Sequence, residues 1–173
     1  MRHVNLLLLS LLVACSGGEQ SVRQQFLAEA NVSVQFDVWV RSINNQDQDS
    51  LALVHHQVPE LRVLRSDATV SRGWDEEREK WSEFFDSTEI VNFVIDGLEF
   101  DVVSNDVVLT TFRYSLDTER SEGQRESTVS GLGNIVWTRD LVDDLWKIQM
   151  VHLSATSHTL FASLAANQTS PLV

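Results

Sequence analysis

Few polar side chains in this chain are placed to do chemistry, and the most suggestive sits on an alternating run near its end. In Trp146-Lys147-Ile148-Gln149-Met150-Val151-His152-Leu153-Ser154, an extended backbone puts Trp146, Ile148, Met150, His152 and Ser154 on one side, because alternate residues of a strand share a face. If that side looks into an apolar cavity, His152 is an imidazole able to act as acid, base or ligand hook, with Ser154 beside it. The competing reading is a buried histidine hydrogen-bonded to a helix. Arg113, between Phe112 and Tyr114, offers a charged fork to a carboxylate or enolate if it points inward, and is a solvated strand residue if it points outward. Tyr114 takes the opposite side, so the two cannot line one pocket. His55-His56 followed by Glu60 makes a poor metal site, since adjacent helical residues diverge by about 100° and the usual i,i+4 histidine pair is missing. Neither metal nor cofactor is expected. Trp39, Trp74, Trp81 and Phe84 read first as core, where aromatics contribute most.

The single cysteine, Cys15, closes the apolar run Leu6 to Ala14 in Leu12-Val13-Ala14-Cys15. That tetrapeptide resembles a bacterial lipobox, in which small residues let a signal peptidase reach the bond before an acylated thiol. A membrane-spanning helix needs roughly 20 apolar residues. This run is about half as long, is preceded by Arg2 and is followed at once by Ser16-Gly17-Gly18-Glu19-Gln20, which suits a signal h-region. Residues 1–14 are therefore expected to be a lipoprotein signal peptide, and residues 15–24 a lipidated cysteine and polar tether, with plain secretion as the alternative. The anchor makes the membrane a partner through Cys15. Ser16 is not the aspartate that holds such proteins at the inner membrane, so the expected location is the outer membrane, facing the periplasm.

About 158 residues remain, the length of one domain. With 43% hydrophobic and 22% charged residues and two prolines, the chain is neither disordered nor fibrous. A net charge of −12, from 25 acidic and 13 basic side chains, repels phosphate backbones and excludes nucleic acid as a partner. Once Cys15 is acylated no disulfide can form, so stability must come from packing.

The elements that must position these residues follow from periodicity. Ala28, Val32, Phe36, Trp39, Val40 and Ile43 recur every three or four residues, which predicts a long amphipathic helix from Arg23 that ends at Asn44-Asn45-Gln46-Asp47. A short helix over Asp49 to His56 stops before Pro59, and the chain then extends through Leu61, Val63 and Leu64. Gly73 precedes a third helix carrying Trp74, Trp81, Phe84 and Phe85, with Asp75, Glu76 and Glu77 in its first turn, where the helix dipole favours negative charge. Period-two runs follow at Ile90–Val103, Val107–Leu116, Glu126–Thr138 and Leu145–Thr156, joined by short turn-rich links that suit an antiparallel meander. Asp96-Gly97 reads as a bulge that bends the first long strand.

This order of elements, with Gly73-Trp74 opening the third helix and the closing run Trp146 to Ser154, resembles the nuclear-transport-factor-2-like superfamily, and within it the SnoaL-like branch. The segment Gly131-Leu132-Gly133-Asn134-Ile135-Val136-Trp137-Thr138-Arg139 is similar to the strand before the closing strand of that branch. The resemblance covers residues 25–157 and leaves 158–173 as a C-terminal tail. It implies an α+β fold in which a curved antiparallel sheet forms a cone, with about three N-terminal helices on its concave face. The family includes ketosteroid isomerases, polyketide cyclases, dehydratases and non-catalytic binding or oligomerisation domains, so the fold alone does not choose a function. The isomerases use a tyrosine and an acid to hold an enolate oxygen and an aspartate to move the proton. The matching positions here are Trp39, near Gly133 and near Arg65, and none fits, although the Trp39 indole can still donate a hydrogen bond. The expected function is a non-catalytic small-molecule-binding or assembly module, with Trp39, Arg113, His152 and Ser154 as ligand-binding candidates. Its expected partners are a small apolar ligand and a second copy docked through the outer sheet face. The alternative is a small cofactor-independent enzyme of the cyclase, isomerase or dehydratase type that uses His152 with Trp39 or Arg113.

Overall fold

In the computed structural model, which describes residues 16–119 and 127–156, the first apolar stripe lies along one face of helix α1 (Ser16–Asn44). Ala28, Val32, Phe36, Trp39 and Ile43 are buried, and Val40 is half-buried. The helix already runs at Ser16, inside the stretch expected to be a tether. Residues 22–27 are exposed, so this part extends the packed turns by propagation, which adds one hydrogen bond per residue once a nucleus exists. Cys15, the expected signal segment and the expected tail lie outside the described residues. No described helix is long and apolar enough to cross a membrane.

Helix α2 (Gln48–Val54) starts where Asp47 caps it, its Oδ1 accepting the Ser50 amide at 3.0 Å. The chain then forms strands β1 (Arg62–Leu64) and β2 (Val70–Arg72), helix α3 (Trp74–Asp86), and four long strands: β3 (Ile90–Ser104), β4 (Val107–Glu119), β5 (Ser127–Arg139) and β6 (Trp146–Ala155). Gly73 caps α3 at φ 84°, a left-handed conformation that glycine takes without a steric penalty.

The six strands form one sheet in the order β2-β1-β6-β5-β4-β3. β3 to β6 are the expected antiparallel meander. The expectation of a purely antiparallel sheet fails at β1, which pairs parallel to β6 and antiparallel to β2. A three-residue run carries almost no register information, and here α2 delivers the chain to the β6 edge pointing the same way. The sheet is therefore mixed, and it stays open, with β2 and β3 as its edges. Asn44 covers part of the β3 edge: its Oδ1 accepts the Phe93 amide at 2.6 Å and its Nδ2 donates to the Phe93 carbonyl at 3.0 Å, occupying groups that a further strand would use.

Two bulges matter for the faces of the sheet. The expected one falls between Asp96 and Glu99, with Gly97 at φ 62°. The second was not expected. Val136 pairs with Met150 and Trp137 with Ile148, so Gln149 is an extra residue in β6. One extra residue moves every later side chain to the other face. Trp146 and Ile148 are buried, but beyond the bulge it is Val151 that is buried, while His152 is exposed. The five residues from Trp146 to Ser154 assigned to one face do not share it.

Inside, Phe36, Trp39, Phe93 and Phe112 pack edge to face, with centroids 5.2 Å apart for Phe36–Phe112 and 5.4 Å for Trp39–Phe93. Such pairs add about 0.5–1.5 kcal/mol each beyond the area they bury. Gly133 fits this cluster because a Cβ there would lie 2.3 Å from the Phe112 ring.

Candidate functional site: a cavity with unpartnered polar groups

Side chains from α1 and α3, from His55 at the end of α2, and from β1, β3, β4, β5 and β6 line a cavity of about 490 Å³ under the sheet. Its walls are mostly apolar, with Trp39 and Ile43 from α1, Phe93 from β3, and Val151 and Leu153 from β6. The β1–β2 turn, at Ser66, Asp67 and Thr69, and the outer turns of α3, at Lys80 and Glu83, form its polar rim.

Three polar groups lie deep in this lining. His55 ends α2, where its backbone leaves the helix for an extended conformation (ψ 145°) and bridges to Ile148 of β6. The ring packs 5.3 Å from that of Trp74, and Nδ1 lies 2.7 Å from the Leu51 carbonyl. A carbonyl oxygen can only accept, so Nδ1 carries the proton and Nε2 keeps its lone pair. Burial is the main reason that the imidazole pKa falls to about 4; the nearby Arg65 and His56 lower it further, while the Leu51 carbonyl works against the fall. His55 is thus a neutral hydrogen-bond acceptor at physiological pH.

Glu77 is fully buried on the inner face of α3, and its Oε2 accepts from Arg65 Nη2 at 2.5 Å. Arg65 Nη1 also donates to the Ser71 hydroxyl at 2.8 Å. Burial pushes the Glu77 carboxyl up, and the Arg65 guanidinium, the Ser71 hydroxyl and the Trp81 indole pull it back. Tyr114 from β4 completes the set. Its hydroxyl donates to the Ser154 carbonyl at 3.4 Å, and burial raises its pKa.

Among the described residues, four buried side-chain atoms lack a hydrogen-bond partner: Trp39 Nε1, His55 Nε2, Glu77 Oε1 and Trp81 Nε1. All four belong to residues that line this one cavity. The Trp81 indole is near enough to favour the charged form of Glu77, yet neither Trp81 Nε1 nor Glu77 Oε1 completes a hydrogen bond. A buried polar atom without a partner costs roughly 1–3 kcal/mol, so this cavity is where the described interior keeps its unused hydrogen-bonding capacity.

Of the residues singled out in the sequence, Trp39 lines the cavity. His152 lies on the other face of β6, beyond the Gln149 bulge, where it is exposed. Arg113 is on the outer face of β4, giving two hydrogen bonds to Asp96 Oδ2 at 3.1 and 2.7 Å. Ser154 Oγ donates to the Leu132 carbonyl at 3.1 Å, so this residue reaches Tyr114 only through its backbone. The structure does not bring these four together. His55, Arg65, Glu77 and Trp81 form the polar cluster instead. Glu77 carried a readable signal: with Trp74, Trp81 and Phe84 it stands at spacings of three and four, a carboxyl on the apolar face of its helix. Arg65 carried none, because the β1–β2 turn that aims it has no pattern of its own.

No family model matches the chain, and no curated protein does either. Solved structures do match in fold. A nuclear transport factor 2-like superfamily protein from Salmonella enterica serovar Typhimurium superposes with a TM-score of 0.66 at 17% identity, covering 81% of this chain and 95% of that one. A hexachlorocyclohexane dehydrochlorinase, LinA type 2, gives a TM-score of 0.65 at 12% identity, over 79% and 90% of the two chains. A protein of unknown function from Shewanella oneidensis, described as NTF-2 like, gives 0.57 at 21%, over 73% and 98%. Their breadth of description against their common architecture leaves one firm statement: this chain has the nuclear-transport-factor-2-like fold.

Proposed function

We propose that the chain is a membrane-tethered lipoprotein, anchored through Cys15, whose domain binds a small molecule in the concave cavity without transforming it. One observation carries the binding half of this reading: the four unpartnered buried polar atoms all belong to the walls of one cavity of about 490 Å³, within the usual size range of small-molecule sites. The chemistry of the lining favours binding over turnover. A base works best with a pKa near the operating pH, and burial holds His55 at about 4. Glu77 is engaged by Arg65. The alternative enzyme built on His152 loses its support, since that imidazole is outside the cavity.

The lipobox-like Leu12-Val13-Ala14-Cys15 supports the anchor, and Ser16 after it supports an outer-membrane, periplasm-facing location. A second copy would dock on the outer sheet face, where Val94 and Leu132 stand exposed.

Two measurements test the proposal. Metabolic labelling with radioactive palmitate should mark the wild-type chain and not Cys15→Ala; labelling of neither would remove the anchor. Solvent extraction of the purified protein followed by mass spectrometry should release a stoichiometric small molecule. An empty protein whose tryptophan fluorescence is also unmoved by small ring compounds would remove the binding role.

A further inference from the structure

The unpartnered atoms also constrain what the cavity accepts. Trp39 Nε1 and Trp81 Nε1 are donors that need an acceptor, while His55 Nε2 and Glu77 Oε1 are acceptors that need a donor. A ligand with acceptors only, such as a simple ketone, would leave His55 and Glu77 unmet. A pure hydrocarbon would leave all four unmet. A hydroxyl group both gives and takes a hydrogen bond, so it is the smallest group able to serve one atom of each kind.

Charge narrows the class further. Arg65 and Glu77 already neutralise one another across a direct ion pair. His55 is held neutral by geometry, with Nδ1–H spent on the Leu51 carbonyl and the ring buried. The inner cavity therefore has no free charge, and burying an ion there without a counter-ion is expensive. The remaining wall is aromatic and aliphatic, from Trp39, Phe93, Phe84 and Leu116, which suits a flat apolar body.

We infer that the cavity takes an uncharged ring compound bearing a hydroxyl group, which donates to His55 Nε2 and accepts from the indole N–H of Trp81, the donor in the same polar cluster. This rests on reading the cavity as a ligand site, and the test separates the two claims. Tryptophan fluorescence of the purified full chain is titrated at pH 7 with naphthalene, 2-naphthol and 2-naphthoate, which share a ring system and differ in the polar group. The expected order is 2-naphthol tightest, at least ~10-fold over naphthalene, because one or two newly satisfied buried polar atoms are each worth a factor of several or more. The carboxylate should bind at least ~10-fold more weakly than the naphthol. In Trp81→Phe and in His55→Phe the advantage of naphthol over naphthalene should shrink severalfold, while naphthalene binding persists. Trp81 is only half-buried, so its variant remains informative if His55→Phe fails to fold. Binding of naphthalene with no gain from the hydroxyl, an advantage untouched in both folded variants, or preference for the carboxylate would each overturn the inference while leaving the cavity a ligand site. Failure of all three probes to bind would overturn the ligand-site reading itself.

Discussion

Two arginine–carboxylate pairs stand on opposite sides of the same sheet. Arg65 and Glu77 meet at the cavity, with 23% and 0% of their side chains exposed; Arg113 and Asp96 meet on the outer face, at 63% and 75%. The contacts are alike in length, yet their chemistry differs. Outside, water screens both partners, and the Arg113 side chain lies across Gly97, where a Cβ would come within 2.8 Å of Nη2; the pair finishes a bulge. Inside, desolvation works against the Glu77 charge and Arg65 has to offset it. A buried pair with one carboxylate oxygen left unpartnered is a poor way to stabilise a fold and a good way to keep polarity in an apolar cavity.

The sharpest way to break the comparison is to exchange the two sides of β6. Inserting one alanine between Met150 and Val151 shifts the phase of the rest of the strand by one, and would turn His152 inward and Val151 and Leu153 outward. Burial lost at Val151, which is in the core, and at Leu153, which packs against it, costs roughly 2–5 kcal/mol at a fully buried position, so the insertion should leave the domain unfolded or barely folded by circular dichroism at 25 °C. A folded insertion variant within about 1 kcal/mol of wild type in urea would show that the faces of β6 are assigned wrongly.

Next in size is the inner pair. Arg65→Met strands the Glu77 carboxylate in the interior and should cost about 3–5 kcal/mol in urea unfolding. Arg65→Met with Glu77→Leu should recover most of that loss, since apolar replacements of a buried pair are often neutral. If the single and double variants are equally unstable, Arg65 is needed for packing rather than for charge.

The third effect is in pH. His55 titrates near 4 folded against an ordinary 6.5, so between these values the unfolded chain holds more protons. Stability is therefore full above about pH 6.5 and is lost as pH falls toward 4, by roughly 3 kcal/mol in all at about 1.4 kcal/mol per pH unit. Glu77, with its carboxyl raised above 4.5, acts in the opposite sense, since between 4.5 and its raised value the folded chain holds more protons. Urea midpoints measured across this range should fall on acidification, and the fall should flatten in His55→Phe. Parallel curves for the two proteins would mean that His55 is not the titrating group. The smallest effect belongs to the outer pair: Arg113→Ala should leave the urea midpoint and the naphthol affinity unchanged. A loss of affinity there would connect the outer face to the site.

Much of the architecture could be read from the chain because each large element repeats its own signal. The stripe Ala28, Val32, Phe36, Trp39, Ile43 states its buried face several times over, and Asp96-Gly97 announces the first bulge. The site was less legible. Trp39 was within reach because it shares the stripe. His152 was misplaced by one residue of bulge, since Gln149 is neither glycine nor a turn former and nothing local marks it. Glu77 hid among the acidic residues of a helix start, where charge is ordinary, and only its phase against Trp74 and Trp81 set it apart. Arg65 was visible only as a mismatch to a catalytic aspartate; its partner is twelve residues away across a short hairpin and a helix turn, and such pairing is a property of the fold.

Helix α1 carries one more consequence. It runs unbroken from Ser16, and over Val22 to Leu27 its side chains are exposed, burial beginning at Ala28 among those described. Residues 16–27 thus span about 18 Å at 1.5 Å per residue, a rod where a floppy leash would otherwise stand. If Cys15 is fixed in a bilayer, that rod works as a spacer of set length. It would then hold the rim formed by Ser66, Asp67 and Lys80 at a definite height, and so decide whether a molecule reaching the cavity came from the lipid or from the water above it.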